Sequence, residues 1–538
     1  MKHYLILLIV LFVCAALLIG CIKKPDKPSG EPPEGKFDSG SSQSSTGDSG
    51  MDEPTSWTKD ITLQDAFTPS ASLSSSQPVT LSVKAEEAAM IRINLTEEET
   101  KLDGYTSYEG GVETDISFAE IAPDQNLPVS ITGLEAEIKR FNEAARARGE
   151  KERAEGAVRH KAYQETESEE RFIYLTSWIS MKIGRADTQV FSYVEDIYRY
   201  NREYEPDFYE VHGHTIDPVS GEKLSLNDFL TDTSDLGSRI YDAMEPYSWW
   251  KTGYGSKEEL VPILQAAVDG CRDDGSFAWM VYPHGFEFYL VLSANENGRI
   301  GHNKLAFQVP FEVWADILRP GIYEVTYDYL NWVSPKLFPD IWGMKLPIHE
   351  SGEILTSHYL VQKNGKRYLY ALKDEYTTVF AVENGTLTEV GKVIGMAYWM
   401  RGREYFSTPD PECFEVSYFV TMSQELYLRG YARVGEDGIP EMLGLFEYHG
   451  NSIPFSNQIA FEAETFENQD ATESKVETVP EYTDFYILRS DGQTFIDCGT
   501  YDSDKIYRLY VTGSEEEGWI INGIPKDNLL AYEGYWEE

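Results

Sequence analysis

Basic residues are scarce in this chain of 538 residues. Lysine and arginine together number 46, against 90 aspartate and glutamate residues, which gives a formal net charge of −44. A surface with this charge repels a phosphate backbone, and the sequence has no basic stripe to offset the repulsion. Nucleic acid is therefore excluded as a partner. The acidity is explained either by the solubility of an exposed surface or by a cationic partner that is attracted electrostatically.

Cysteine is also rare. Of the five cysteines, Cys14 and Cys21 lie in the N-terminal segment, so Cys271, Cys413 and Cys498 are those left for the folded body. An odd number of cysteines does not make a disulfide framework. One bridge between Cys413 and Cys498 and buried free thiols are the two alternatives that remain.

The sequence contains one long apolar run, residues 5–20. It follows a short basic start and is shorter than the roughly 20 residues that span a bilayer, so residues 1–20 predict a cleaved export signal. The run ends in Leu18-Ile19-Gly20-Cys21, which resembles the lipobox of bacterial lipoproteins. The resemblance implies that Cys21 carries a diacylglycerol, and two acyl chains hold a protein stably on a membrane. An uncleaved anchor with a chance cysteine is the alternative, and both place the body on the extracytoplasmic face.

Catalytic motifs are absent from the sequence. There is no Gly-x-Ser-x-Gly elbow in a strand-to-helix context, no His-Glu-x-x-His, no Cys-x-x-Cys and no phosphate loop. His212 and His214, close to Asp217, lie two residues apart on a predicted strand and share one face, where a third ligand would complete a metal site. Surface or half-buried histidines are the simpler interpretation. We therefore predict no catalytic residue, no metal and no cofactor.

Composition separates an N-terminal region from the body. Residues 21–55 consist mainly of Pro, Gly, Ser, Asp and Lys with almost no apolar residue, and they predict a disordered, flexible tether. Between residues 56 and 126 the apolar residues return in short alternating runs, among them residues 79–83 and 90–95, which we interpret as strands. This segment predicts a small β-rich lead-in.

Residues 127–329 combine helical and strand periods. Apolar residues recur at helical spacing among charged ones from residue 134 to about 158, which predicts an amphipathic helix. Strand patterns follow, and further helices are predicted at residues 238–244 and 257–271, the second with Ser256 as N-cap. A hairpin and one more strand complete the pattern. The prediction is an α+β middle domain.

This arrangement resembles the extracellular domain of the RsiV and PdaC type, which occurs in a membrane anti-sigma factor and in a peptidoglycan deacetylase. The matching segments are a strand, turn and strand that includes Asp217, Gly221 and Asp228, then a hairpin and a last strand: residues 215–229, 285–289 and 305–311. A Gly-Gly-Ala-His element that the family often shows is replaced here by residues 200–204, and no deacetylase domain is recognisable. The resemblance implies a helix-led, strand-rich fold that recognises an extracellular ligand, for which a cationic protein such as lysozyme is the expectation.

The C-terminal third is predicted to be mostly β. In residues 345–460 the turns Asn364-Gly365 and Asn384-Gly385 lie 20 residues apart between apolar runs, which favours a meander, with a short propeller-like arc as the alternative. Residues 461–481 predict an acidic break without a core, and residues 482–538 predict a small final β unit.

Aromatic residues make up 13% of the chain, and most of them are expected to pack in cores. Tyr247, Trp249, Trp250 and Tyr254 form the exception, because serine and glycine surround them in a predicted loop. Exposed aromatic rings are enriched at recognition surfaces. We therefore predict that this segment contributes to ligand binding.

Three hypotheses for the function follow. The leading one is a non-enzymatic lipoprotein at the cell surface that binds an extracellular ligand, such as a cationic protein, through its α+β domain. The second is a scaffold or accessory module associated with the cell wall or another glycan. The third is a hydrolase with unrecognised acidic catalysis, since paired carboxylates cannot be chosen among 90 acidic residues without geometry.

Overall fold

The computed structural model describes sixteen stretches of the chain: residues 79–101, 111–123, 125–166, 174–201, 208–244, 256–270, 277–292, 303–323, 325–333, 357–373, 376–383, 386–394, 410–420, 426–448, 455–513 and 518–531. The predicted export segment, Cys21 and the predicted tether lie outside these residues. Within them, no helix is both long and apolar enough to cross a membrane.

The first sheet has five strands in sequential order. They are β1 Ile93–Lys101, β2 Gly111–Ile121, β3 Tyr174–Ala186, β4 Phe191–Asn201 and β5 Phe208–Ile216. All neighbours are antiparallel except β2 and β3, which run parallel with Gly111 opposite Tyr174. A parallel pair needs a long crossover, and helix α1, Thr132–Thr166, provides it.

Helix α1 packs on one face of this sheet. Leu134, Phe141 and Ala145 are completely buried against Ile179, Met181 and other strand residues. The predicted amphipathic helix is confirmed, and it continues beyond residue 158 to Thr166.

A three-stranded sheet packs on the opposite face. It consists of β6 Phe277–Tyr282, β7 Gly285–Leu292 and β8 Asn303–Pro310, and Met280, Tyr282 and Tyr289 share a core with Val194 and Val211 of the first sheet. Its other face is covered by short helices α2 Leu226–Phe229, α3 Leu236–Met244 and α4 Lys257–Gly270 together with a 3-10 helix at Phe311–Trp314. The α+β prediction for the middle region is therefore confirmed in outline.

The next sheet is an antiparallel meander of five strands in the order β13-β12-β11-β10-β9. Its members are β9 Tyr329–Val333, β10 Ser357–Lys363, β11 Lys366–Lys373, β12 Tyr376–Glu383 and β13 Thr386–Ile394. The predicted turn at Asn364-Gly365 is present, with φ of 52° and 72° at the two residues, as a two-residue hairpin with both central residues at positive φ requires. The second predicted turn, Asn384-Gly385, lies outside the described residues.

A thirteen-stranded sheet forms the rest of the described chain. Its strands are β14 Phe414–Val420, β15 Leu426–Val434, β16 Pro440–Met442, β17 Phe446–Tyr448, β18 Phe455–Asn457, β19 Phe461–Phe466, β20 Ser474–Val479, β21 Asp484–Ser490, β22 Phe495–Thr500, β23 Ser503–Thr512, β24 Ile520–Ile521, β25 Ile524–Pro525 and β26 Leu530–Ala531, with helix α5 at Lys526–Leu529. The main path runs β14-β15-β17-β21-β22-β23-β19-β20. One face packs on the meander in a common core that includes Val361, Tyr370, Phe414, Leu428 and Ile487.

Three expectations about the organisation were wrong. The predicted break at residues 461–481 is the β19–β20 hairpin, because Phe461 and Ala463 alternate with outward carboxylates and are buried in the common core. The β-rich lead-in is not separate from the middle domain, since β2 pairs with both β1 and β3. Residues 79–83 do not form a strand.

Buried carboxylates explain the conformation of residues 79–83. The backbone N–H of Val79 donates to Asp228, and the N–H and hydroxyl of Ser82 donate to Asp217. Side chains thus replace a partner strand. Asp217 and Asp228 are two residues of the segment that carried the family resemblance, and their role in this structure is to hold the entry of the chain onto the domain.

Candidate functional site

A shallow groove lies where β2 separates from β3. The two strands pair only as far as Ile116 opposite Ile179, and beyond that point α1 covers the free side of β2. The side chain of Asn142 accepts from the N–H of Ala119 at 2.9 Å and donates to its carbonyl at 2.8 Å. One helical amide therefore replaces the missing strand, and it holds α1 and β2 at a fixed separation.

The groove is open to solvent and has a volume of about 470 Å³. Its floor contains the apolar residues Ala119, Ile121 and Ile138, and its rim carries Glu120, Glu135, Lys139 and Glu143. We call it the acidic groove, because three carboxylates face one ammonium group. Among the described residues, one ion pair joins two of these rim residues: Lys139 lies 3.9 Å from Glu143 along α1, and both side chains are at least 70% exposed. Such a pair is weak in water, so the carboxylates stay accessible to another cation.

An ionic stripe runs beside the groove, between α1 and strands β4 and β5. Its charged residues form separate ion-pair clusters, which we call stations. At the first station Arg140 donates to Glu137 through Nε at 2.8 Å and through Nη2 at 2.7 Å. The Tyr193 hydroxyl donates to the same carboxylate at 2.7 Å and accepts from Arg140 at 2.7 Å. His214 stacks on the Tyr193 ring, with centroids 4.8 Å apart.

The second station lies two residues further along strands β4 and β5. Arg148 contacts Glu210 at 2.9 Å and Glu195 at 3.8 Å, and His212 Nε2 lies 3.3 Å from Glu210. Further along, Arg199 pairs with Glu152 at 2.8 Å. Tyr193 and Glu195 of β4 are opposite His214 and His212 of β5, which explains why the stations repeat every second residue.

Burial and pairing set the protonation states at the first station. Burial lowers the pKa of His214 to about 4, and the positive charge of Arg140 acts in the same direction. Burial alone would raise the pKa of Glu137, but hydrogen bonds from Arg140 and Tyr193 outweigh it and lower that pKa. Burial and the Glu137 charge raise the pKa of Tyr193. At neutral pH the station contains a carboxylate, a guanidinium, a phenol and a neutral imidazole.

The sequence placed His212 and His214 on one face of a strand, and the structure confirms this through their register with Glu195 and Tyr193. Each histidine lies beside a single carboxylate that an arginine already binds. In the part of the chain that the structure describes, no group of three or more His, Cys, Asp or Glu side chains is placed to hold a metal ion.

Other predicted residues fall elsewhere. Cys413 and Cys498 are both free, and Cys498 is completely buried in the common core, so of the two alternatives the structure has free thiols. Cys21 and the aromatic segment Tyr247, Trp249, Trp250 and Tyr254 lie outside the described residues.

The acidic groove was not predicted from the sequence. Its helical rim residues Glu135, Lys139 and Glu143 follow a four-residue spacing that marks one helix face, and this signal was available. The contribution of Glu120 and Ile121 could not be predicted, because nothing in the local sequence shows where β2 and β3 stop pairing.

Comparison with known proteins gives little further information. No protein-family model matches the chain, and no curated protein matches it either. Among solved structures, it is similar to a DUF3298 family protein from Bacteroides fragilis, with 10% identity over 44% of this chain and 96% of that one and a TM-score of 0.28. A DUF3298 family protein from Pseudomonas aeruginosa gives 11% identity, 43% and 96% coverage and a TM-score of 0.25. Similarity at this level is no argument about function.

Proposed function

We propose that this protein is a lipid-anchored, non-enzymatic binding protein at the extracytoplasmic face of a membrane, and that it captures a cationic extracellular protein. The acidic groove is the observation that carries the proposal. The lipobox-like segment ending in Cys21 supports the anchor, and the resemblance to the RsiV and PdaC type supports ligand capture by the helix-led domain.

The chemistry of the acidic groove matches a lysine or arginine side chain. Such side chains combine an apolar stem with a charged end. The stem would lie on Ile121 and Ile138, and the charged end would reach the carboxylates of Glu120, Glu135 and Glu143 at the rim. Because Asn142 fixes the helix against the strand, little conformational entropy is lost when the groove is filled.

The charge of the whole chain favours the same ligand. A net charge of −44 attracts a cationic protein over long distances and increases its association rate, most strongly at low ionic strength. Attraction of this kind does not select one partner. Specificity has to come from local contacts, and the acidic groove offers carboxylates together with apolar surface.

Calorimetry with a cationic probe tests the proposal. The chain from Asp52 to Glu538 is titrated with lysozyme at low and at physiological salt, and the expected result is 1:1 binding that survives physiological salt. The triple variant Glu120→Gln, Glu135→Gln, Glu143→Gln is expected to bind at least tenfold more weakly. The matched control removes three exposed carboxylates elsewhere, Asp470→Asn, Glu473→Gln and Glu481→Gln.

The control separates the groove from general acidity, since both triple variants lose three negative charges. Equal weakening by both would mean that net charge alone attracts lysozyme, and absence of binding at physiological salt would refute lysozyme as the ligand.

The anchor is tested separately. Replacing Cys21 with serine should move the protein from the membrane fraction to the soluble fraction, and a variant that stays with the membrane would contradict lipid attachment at this cysteine.

A further inference from the structure

The thirteen-stranded sheet has a second face, which does not pack on the meander. Across this face the strand register aligns charged residues of alternating sign, with Glu464 opposite Arg508, Arg508 opposite Asp497, Asp497 opposite Arg489, Arg489 opposite Glu447, and Glu447 opposite Arg429. We call these six residues the charge row. It crosses six strands, from β19 to β15, and adjacent strands in a sheet lie about 4.8 Å apart.

The centre of the charge row is held rigidly. Asp497 is completely buried and accepts from Arg489 Nε at 2.8 Å and from Arg508 Nε and Nη2 at 2.8 and 2.9 Å. The Arg508 guanidinium also lies over the rings of Phe495 and Phe466, 3.7 and 4.8 Å from their centroids. Planar groups fixed in this way need no ordering when a ligand arrives.

Tyrosine rings flank the charge row on both sides. On one side is Tyr510, opposite Phe495 in the register and 46% exposed. On the other side Tyr486 rests over Gly499, where an added Cβ would come within 2.6 Å of the ring. Tyr501, 66% exposed, contacts Tyr486 with ring centroids 5.2 Å apart. The face therefore offers exposed apolar rings on either side of fixed polar groups.

The charges of the row cancel. Within the row three arginines match three carboxylates, and at its end Arg429 also lies 3.7 Å from Glu415 of β14, in a protein whose overall charge is −44. An anionic polymer would be repelled by the whole molecule, and a cationic one would find each carboxylate of the central section already matched by arginine. A ligand without charge meets neither obstacle, provided that it carries hydroxyl or amide groups for the arginines and carboxylates and apolar ring faces for the tyrosines.

From this complementarity we propose that the second face of the thirteen-stranded sheet binds an uncharged polysaccharide. Sugar rings stack on Tyr501, Tyr486 and Tyr510, and their hydroxyl groups hydrogen-bond to the exposed edges of Arg489 and Arg508 and to Glu464. Tyrosine suits this role because it gives a large rigid contact area for the loss of few rotatable bonds. This site is separate from the acidic groove and does not depend on the function proposed for the groove.

Sedimentation with insoluble polysaccharides tests the site. The full chain carrying Cys21→Ser is mixed with chitin, with cellulose and with cross-linked polygalacturonate at low salt and at 1 M salt. The expected result is retention on an uncharged polymer at both salt concentrations and no retention on polygalacturonate. The double variant Tyr501→Ala, Tyr510→Ala is expected to reduce retention at least tenfold.

A second exposed tyrosine serves as the control. Tyr482 is 73% exposed, does not lie on a strand, and has a φ of 59°, which asparagine tolerates. Tyr482→Asn should be retained like the unaltered chain, and lysozyme titration of the double variant should be unchanged. Retention that the double variant keeps, retention on polygalacturonate alone, or no retention on any polymer would each overturn the proposal.

Discussion

Arg185 is completely buried, and so is its partner Asp187. The guanidinium donates to Asp187 at 2.6 Å, to Gln189 at 2.7 Å and to the carbonyl of Ile322 at 2.7 Å. Tyr327 donates to the same carboxylate at 2.8 Å. This network joins the β3–β4 turn to the segment that precedes the meander, and each charged group in it is satisfied.

The network makes a first prediction. Arg185→Met leaves the Asp187 carboxylate buried without its cation, which should lower the free energy of unfolding by about 3–5 kcal/mol. Urea denaturation measures the change. Arg433→Met is the control, because Arg433 pairs with Glu441 while both side chains are about half exposed, and it should have no measurable effect. Similar losses in both variants would contradict this account of the buried pair.

Two histidines with lowered pKa values, the buried His284 and the half-buried His214, make stability depend on pH. His284 has no hydrogen-bond partner at either ring nitrogen among the described residues, and burial lowers its pKa from 6.5 to about 3, with Arg367 contributing. The pKa of His214 is lowered to about 4. Between these values and 6.5 the unfolded chain binds protons that the folded chain does not. The free energy of unfolding should therefore fall as the pH drops below 6.5, by up to about 1.4 kcal/mol per pH unit for each histidine.

The second prediction separates this effect from that of the carboxylates. Glu137 and Glu210, whose pKa values are lowered, also weaken the fold in acid, so the informative quantity is a difference between variants. His284→Phe removes one proton site without removing a hydrogen bond. Urea denaturation at pH 7.5, 6 and 5 should show a shallower pH dependence for the variant and equal or higher stability at pH 7.5. An unchanged slope would show that His284 does not titrate in this way.

At the scale of elements, two glycines allow the first sheet and the β6–β8 sheet to approach each other. An added Cβ at Gly213 would lie 2.6 Å from the carbonyl oxygen of Trp279, and one at Gly184 would lie 2.5 Å from that of Val281. In both cases the obstacle is the backbone of β6, which cannot rotate away as a side chain can. The glycine between His212 and His214 is thus required by sheet packing.

The third prediction is that Gly213→Ala lowers the free energy of unfolding by about 1–3 kcal/mol, the usual cost of an overpacked contact, because the added Cβ would collide with the backbone of β6. The loss should occur although alanine is otherwise the better residue in a regular element. Gly444→Ala serves as the control, because no atom lies within 4 Å of the position of its Cβ. Thermal unfolding of both variants measures the difference, and a neutral Gly213→Ala would mean that the two sheets can move apart easily.

Local patterns predicted most elements, because helical spacing and strand alternation are properties of neighbouring residues. The α1 helix, the β6–β7 hairpin and the meander were predicted for this reason. The hairpin at residues 461–481 was missed because its outward positions are acidic, so composition concealed the alternation. The acidic groove depends on where β2 and β3 stop pairing, and the charge row depends on the register of six strands. Neither long-range relation is encoded in a local pattern.

At the scale of the whole molecule, the thirteen-stranded sheet makes its two predicted parts inseparable. Strand β17 pairs with β21, and β19 pairs with β23, so residues on both sides of position 481 complete one sheet. Phe414, Leu428, Phe485 and Ile487 belong to one core. A chain cut at this position would expose a large apolar face on each piece.

The fourth prediction follows from this continuity. A chain that ends at Glu481 should fail to form the C-terminal sheet, and it should be cleaved by trypsin much faster than the full chain between residues 410 and 481. A chain that lacks residues 1–51 is the control and should resist trypsin like the full chain, since every strand of the described sheets begins after residue 51. A trypsin-resistant fragment that ends at Glu481 would contradict the single sheet.

The parallel pairing of β2 with β3 also determines the order in which the first sheet can form. Gly111 pairs with Tyr174, and the whole of α1 lies between them, so this contact has a high sequence separation and forms slowly. A β1–β2 hairpin that forms early would have an unpaired edge until β3 pairs with β2. Unpaired strand edges promote association between molecules. The unpaired edge belongs to β2, whose segment that later pairs with β3 contains Glu113 and Asp115, and charged residues on an edge strand disfavour its pairing with a second copy of the chain.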